Sequence, residues 1–161
     1  MDLEKSNEQE LVTRCLNAGV VLAVAESCSG GLIAHRITNV PGASAVFRGG
    51  VVAYADEVKK WLLGVSAAAL AAHGAVSEPV ALAMAQGARS LLDGDYGVAV
   101  TGIAGPDGGT VEKPVGTVYI AVAGPSEARA RLYRFEGDRA AVKAQTADMA
   151  LAFLLETMES L

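Results

Sequence analysis

The sequence predicts an α/β fold: a three-layer α/β/α sandwich around a mixed, mostly parallel sheet of about five strands. Three observations predict it. Short apolar runs such as residues 20–25 and 97–100 show no polar alternation, as expected of strands covered on both faces. Segments of helical length with capping signals separate the early runs, which is the pattern of parallel crossovers. The last two runs, residues 116–123 and 128–135, are joined by only Gly124-Pro125-Ser126-Glu127, which suits an antiparallel hairpin.

Taken in order, Ser6 or Asn7 caps a first helix with Leu11, Val12, Cys15 and Leu16 as its apolar stripe and Gly19 as its stop. Residues 20–25 are strand one. A second helix runs from about Gly31 to Val40 and ends before Pro41. Residues 47–54 read as strand two. Asp56 caps a short helix through Leu63, with Trp61 and Leu62 turned inward. Ser66 opens an alanine-rich helix that stops at Gly74. Ser77-Glu78-Pro79 opens the next with a hydroxyl cap, an acid near the positive dipole end and proline in the first turn. That helix runs to about Leu92, where Asp93-Gly94 breaks it. Residues 97–100 form a short buried strand, and a long Gly/Pro-rich loop follows over 101–115. In the last strand, Arg129, Arg131 and Arg134 fit an edge position with a solvated face. Asp138 caps a final helix with Val142, Met149, Phe153 and Leu154 as its stripe.

Composition narrows the function classes. A chain of 161 residues suffices for one domain, residues 1–161, with roughly 70% of the unfolded surface buried. Hydrophobic residues at 52% and charged residues at 19% mark a globular chain. The net charge of −5 argues against a nucleic-acid partner bound by phosphate neutralisation, yet leaves room for a small anionic ligand at a local site. Cys15 and Cys28 make no disulfide framework. With His35 and His73 as the only histidines and no Cys-x-x-Cys spacing, no metal or other cofactor is expected. No apolar run reaches the roughly 18 residues of a membrane span. The polar, acidic opening MDLEKSNEQE does not read as a signal peptide, so the expected compartment is the cytoplasm.

Chemistry concentrates in Glu26-Ser27-Cys28-Ser29-Gly30-Gly31, directly after strand one. A strand, a tight glycine turn and a helix start place unpaired N–H groups at the sheet's carboxyl edge, where open α/β folds bind ligands. Ser27 reads either as a helix-capping serine or as a nucleophile. Cys28 is a second potential nucleophile, its thiol acidified by the helix-proximal turn. Gly30 and Gly31 let a ligand approach the backbone. A serine nucleophile needs a base, and both histidines are poorly placed for that. Lys59 reads either as a solvated helix lysine beside Lys60 or as the base. If strands one and two are parallel neighbours, Ser27 and Lys59 meet at one rim, and a partly buried lysine of depressed pKa can take the serine proton. Tyr54, at the end of strand two, would join them by a hydrogen bond.

The loop Thr101-Gly102-Ile103-Ala104-Gly105-Pro106 reaches the same edge, and its glycines expose N–H groups suited to anions. Lys113 adds a charge. Arg139, in the first turn of the last helix, reads as solvent-facing or as a forked clamp for phosphate or carboxylate. From residues alone this is a small-anion site, with a serine nucleophile as one reading.

Several of these segments together resemble the CinA C-terminal domain family. The carriers are residues 25–31, Gly49-Gly50-Val51-Val52-Ala53-Tyr54, Lys59, residues 73–78, residues 101–106, residues 113–118 and Gly137-Asp138-Arg139, in order from about Asn7 to Thr157. The resemblance implies a nicotinamide-nucleotide amidohydrolase that converts nicotinamide mononucleotide to nicotinate mononucleotide and ammonia. It implies Ser27 as nucleophile and Lys59 as base. Tyr54, Ser29, Thr101 and Arg139 would support or bind the substrate, with Gly30, Gly31, Gly102 and Gly105 in the binding turns. It also implies a homo-oligomer without a metal. A thiol amidase using Cys28 and a non-catalytic nucleotide-binding module are the alternatives to this activity. Two positions depart from the family pattern. Ser29 replaces the usual threonine, and Ala55-Asp56 replaces a serine followed by an asparagine. An acid at position 56 is expected to raise the pKa of Lys59.

Overall fold

The structure, a computed structural model, describes residues 4–159. Five strands form one sheet in the order β2-β1-β3-β4-β5, with β1 (Leu22–Glu26) flanked by β2 (Phe47–Val52) and β3 (Tyr96–Gly102). Both of those pairings are parallel. The hairpin of β4 (Thr117–Ala123) and β5 (Ala128–Arg134) adds two antiparallel pairings. Only β4 therefore runs against the other four strands, and the expected mixed, mostly parallel sheet of a three-layer sandwich is observed.

The two faces of the sheet carry different side chains. Leu22, Val24, Val98, Val100, Val118, Ile120 and Val122 face one core, closed by α1 (Asn7–Ala18), α2 (Leu32–Thr38) and α6 (Arg139–Thr157). Ala23, Ala25, Ala99, Ala121 and Ala123 face the other, closed by α3 (Asp56–Leu63), α4 (Ala67–His73) and α5 (Glu78–Leu91). Successive strand residues point to opposite faces, so an alternation of large and small apolar residues builds a thick layer and a thin one. On the thin side α5 comes close enough that a Cβ at Gly97 would stand 2.4 Å from the Ala85 carbonyl oxygen.

Most sequence-predicted ends hold. Ser6 caps α1 with a reciprocal Gln9 contact, Gly19 closes it in the left-handed conformation, Ser66 caps α4, and Asp138 caps α6 through the Ala141 N–H. Several details differ. Strand β1 begins and ends later than residues 20–25, because Glu26 continues the ladder opposite Val52 and Val100. Helix α2 is shorter, ending at Thr38, and β2 stops at Val52, two residues before Tyr54. Strand β3 is longer and takes in Thr101 and Gly102, so the long loop begins at Ile103. Ala55, and not Asp56, holds the N-cap position of α3. Ser77 stands at the cap of α5 but sends its hydroxyl to the Gly74 carbonyl instead. Leu16 is half exposed, and Met149 is only partly buried.

The inward face of α3 is also reversed from expectation. Trp61 is 76% exposed and Leu62 48%, whereas Lys59 and Leu63 are buried. The cause is polar: Lys59 is anchored beneath the helix to the end of β2, which rotates the apolar pair outward. Among the described residues no helix is long and apolar enough to cross a membrane.

Candidate active site

The parallel register brings three strand ends level. Glu26 lies opposite Val52 on one side and Val100 on the other. The ladder continues one step further: Ala53 N–H donates to the Glu26 carbonyl at 2.8 Å, and Ser27 N–H to the Val100 carbonyl at 3.1 Å. Ser27, Ala53 and Thr101 thus stand side by side at the carboxyl rim. A cavity of about 290 Å³ opens there, lined by Ser27, Tyr54, Asp56, Lys59, Thr101 and Arg139 among others.

Lys59 reaches this rim from α3. Its ammonium donates to the carbonyls of Ala53 and Tyr54, at 2.9 and 3.0 Å, and lies 3.1 Å from Ser27 Oγ. The side chain is 1% exposed. Burial pushes its pKa below the ordinary 10.5, against the attraction of the Asp56 carboxylate, whose Oδ1 lies 3.7 Å from Nζ. Desolvation therefore outweighs the acid whose effect the sequence leads one to expect. In a neutral amine the two N–H bonds satisfy the two carbonyls, and the tetrahedral nitrogen then directs its lone pair at Ser27 Oγ.

The turn after β1 is built by Glu26, whose role the sequence reading missed. Its buried carboxylate accepts from Ser29 Oγ (2.6 Å), Ile33 N–H (2.9 Å) and Ala34 N–H (3.0 Å). It thereby supplies the first turn of α2 with acceptors, since Gly31 at the N-cap has no side chain for that purpose. An acid closing an otherwise apolar strand was the available signal. Ser27 is consequently not a helix cap. Ser29 is turned to Glu26 and stands outside the cavity lining, so it shapes the turn. Gly30 and Gly31 take φ values of +62° and +104°, which only glycine adopts easily. The Gly30 N–H is taken by the Ser27 carbonyl at 3.1 Å. Those of Ser29 and Gly31 have no acceptor among the described residues, and of this turn Ser27 and Cys28 line the cavity.

Cys28 does not have the acidified thiol that its position suggested. It is 6% exposed, and burial pushes its pKa up to about 12. Tyr54 also differs from expectation. Its backbone carbonyl binds Lys59, while its hydroxyl, on a 61% exposed side chain, accepts from Arg139 Nη2 at 3.0 Å. Arg139 Nη1 donates to the Gly105 carbonyl at 2.6 Å, so this guanidinium closes one wall of the cavity. Thr101 Oγ1 is held by the Ala75 carbonyl. Gly102 has no room for a side chain, because a Cβ would stand 2.6 Å from Val118 and 3.1 Å from the Cys28 sulfur. Lys113 points away from the cavity, to the His73 carbonyl at 2.7 Å. His35 and His73 are likewise absent from the lining. No group of three or more His, Cys, Asp or Glu side chains is arranged to hold a metal among the described residues.

Residues 4–158 match the model of the CinA C-terminal domain. A CinA-like protein of Anaeromyxobacter dehalogenans (strain 2CP-C) is 58% identical over 146 residues, covering 89% of this chain and 35% of that protein. A CinA-like protein of Geobacter sulfurreducens is 57% identical over 136 residues, covering 84% of this chain and 33% of that protein. The chain thus spans about a third of the length of these curated relatives. A CinA superfamily protein from Klebsiella pneumoniae 700603 superposes with a TM-score of 0.92 at 35% identity, covering 96% of this chain and 97% of that one. The competence/damage inducible protein CihA from Agrobacterium tumefaciens superposes with a TM-score of 0.88 at 38% identity, covering 97% and 98%. The chain belongs to the CinA C-terminal domain family.

Proposed function

We propose that this member of the CinA C-terminal domain family is an amidohydrolase that converts nicotinamide mononucleotide to nicotinate mononucleotide and ammonia. The observation that carries the reading is the Lys59–Ser27 contact: a buried amine of lowered pKa, fixed by two carbonyls, 3.1 Å from a hydroxyl that lines a cavity. A solvated helix lysine would have none of these features.

In this reading Ser27 Oγ attacks the carboxamide carbon as Lys59 takes the hydroxyl proton. The negative charge on the carbonyl oxygen is met by N–H groups of the Cys28–Gly31 turn. Lys59 returns the proton to the departing nitrogen, ammonia leaves, and an acyl-serine remains. Water then attacks the ester while Lys59 takes its proton. Collapse of the second tetrahedral intermediate, with that proton passing to Ser27, frees the carboxylate product. Arg139 and Tyr54 close the wall against which the nucleotide is oriented.

The test is to incubate the purified protein and its Ser27→Ala variant with nicotinamide mononucleotide and to quantify ammonia and nicotinate mononucleotide. Product from the wild type alone is expected, with the variant still folded and still binding substrate. Undiminished turnover by Ser27→Ala would refute the nucleophile. Binding without product from either protein would favour a nucleotide-binding module.

A further inference from the structure

A base must be unprotonated before it can take the Ser27 proton, yet the Lys59 amine has little contact with water. Its side chain is 1% exposed, and the carbonyls of Ala53 and Tyr54 and the hydroxyl of Ser27 close it in. We propose that Asp56 is the group through which this amine discharges its proton to solvent, resetting the base at the end of each catalytic cycle; the proposal rests on the amidohydrolase reading above.

Geometry is the first support. None of the three groups that hold the amine can carry its proton away: a carbonyl oxygen accepts an N–H without keeping the proton, and Ser27 Oγ has its own hydrogen to lose. The Asp56 carboxylate is the acid paired with Lys59 among the described residues, with Oδ1 3.7 Å from Nζ. Its side chain is 56% exposed and lines the cavity, so it meets the buried amine on one side and solvent on the other. It is not spent on capping α3, because Ala55 holds the N-cap position. One bridging water, or a swing of the exposed carboxylate, closes a gap of this size. The other ionisable groups around the amine offer no such path. Cys28 is buried with its pKa pushed up to about 12, so its thiol is already protonated at neutral pH. Glu26 is turned to Ser29 and the start of α2, and Glu57 is absent from the cavity lining. Asp107 and Arg139 line the cavity but form no ion pair with Lys59.

Proton balance is the second support. Ammonia carries off the hydrogen that Ser27 gave up in the first half of the reaction. In the second half water supplies two hydrogens: one returns to Ser27 Oγ through Lys59, and the other stays on the carboxylic acid formed. That acid, released beside a neutral amine, ionises by giving its proton to Lys59 Nζ. The product carboxylate departs and Lys59 is left as an ammonium, which cannot accept the Ser27 proton. Asp56 then takes the proton from Nζ, becomes the neutral acid and passes the proton to solvent water. The free amine and the Asp56 carboxylate are both restored, and one proton has left the site for each carboxylate made.

The experiment follows the proton itself. Exchange of the Lys59 ammonium hydrogens with water is measured by heteronuclear NMR in the free protein and in Asp56→Asn, at a pH where Lys59 is charged in both. Charge pairing alone predicts faster exchange in the variant, because loss of the anion makes the ammonium more acidic. Transfer through Asp56 predicts the opposite sign, exchange slowed ~10-fold, less than the roughly 10²–10⁴-fold of a direct acid or base because water remains a slower exit. With nicotinamide mononucleotide, above the acid limb, kcat should fall in Asp56→Asn while kcat/KM, which ends before the reset, holds. Imidazole at constant pH and ionic strength should raise kcat in the variant and leave the wild type unchanged, since a mobile base replaces the carboxylate. Asp56→Glu should retain most of the wild-type kcat. Exchange that is unchanged or faster in Asp56→Asn overturns the proposal, and so does a kcat that stays in place or that imidazole does not raise. If exchange slows while the wild type releases no ammonia, the proton route stands and the amidohydrolase reading fails. If ammonia is released and exchange does not slow, the reverse holds.

Discussion

Replacing Asp56 with asparagine removes the strongest charge that favours a protonated Lys59. The two groups are 3.7 Å apart, with Asp56 56% exposed and Lys59 almost fully buried. At that separation a unit pair is worth about 1 kcal/mol at the dielectric of water and about 4 kcal/mol at an effective value of 20. The exposure of Asp56 selects the lower figure, because solvent screens a surface carboxylate. One kcal/mol corresponds to about 0.7 pH unit. Loss of the anion destabilises the ammonium, so the lysine pKa falls and the neutral base is populated at lower pH. The acid limb of kcat/KM for nicotinamide mononucleotide should therefore move down by about 0.5–1 unit in Asp56→Asn. The same shift should appear in an NMR titration of the Lys59 side chain, which reads the pairing without turnover. Stability follows the same sign. The folded pKa lies below the ordinary 10.5, so the unfolded chain binds more protons between the two values and stability rises with pH across that window. Asp56→Asn should extend the window to lower pH. A limb and a titration that stay in place, or move upward, would refute the electrostatic account of Lys59.

Two further outcomes test the scaffold and the rival nucleophile. Glu26→Gln puts an amide N–H₂ where one carboxylate oxygen receives donors, at a cost of about 2–3 kcal/mol; thermal unfolding by circular dichroism should show a Tm lower by about 4–12 °C, and an unshifted Tm would mean the carboxylate is not needed for the turn. Cys28→Ser should keep the same order of turnover, and iodoacetamide at pH 8 should not inactivate the wild type, because the thiol is buried and its pKa is pushed up to about 12; inactivation by alkylation with protection by substrate would return Cys28 to the list of nucleophiles.

Much of the fold was legible because local signals agreed. Ser6, Gly19, Ser66 and Asp138 mark helix ends by chemistry that acts within a few residues, and the observed caps match. The pairing of Ser27 with Lys59 was legible one step further, because parallel neighbours bring strand ends together. Long-range polar anchoring was not legible. Hydrophobicity alone turns Trp61 and Leu62 inward, since nothing in the α3 sequence announces that Ala53 and Tyr54 offer carbonyls to Lys59. Tyr54 was expected to join Ser27 and Lys59 through its hydroxyl, but its carbonyl meets the Lys59 amine, and the hydroxyl accepts from Arg139. The partner of Ser29, Glu26, was not legible because only the turn's geometry brings the two together. Cys28 read as acidified because helix proximity is visible in sequence and burial is not.

The misread positions have a common location. The sheet and its two cores obey simple rules: large apolar residues toward one layer, alanine toward the other, hydroxyl and acid caps outside. The rules break at the carboxyl rim, where a lysine and a glutamate are buried, two adjacent glycines adopt positive φ, and an amphipathic helix exposes its tryptophan. A sequence whose levels agree over most of the chain tolerates such conflicts mainly at sites that act on something. Stability alone would be served better by a helix α3 that buried Trp61 and Leu62 and left position 59 in water, because a buried ammonium loses its hydration. The fold instead orients α3 around Lys59, and the polar groups that make this tolerable, two carbonyls and Ser27 Oγ, also fix its amine at the cavity 3.1 Å from that hydroxyl.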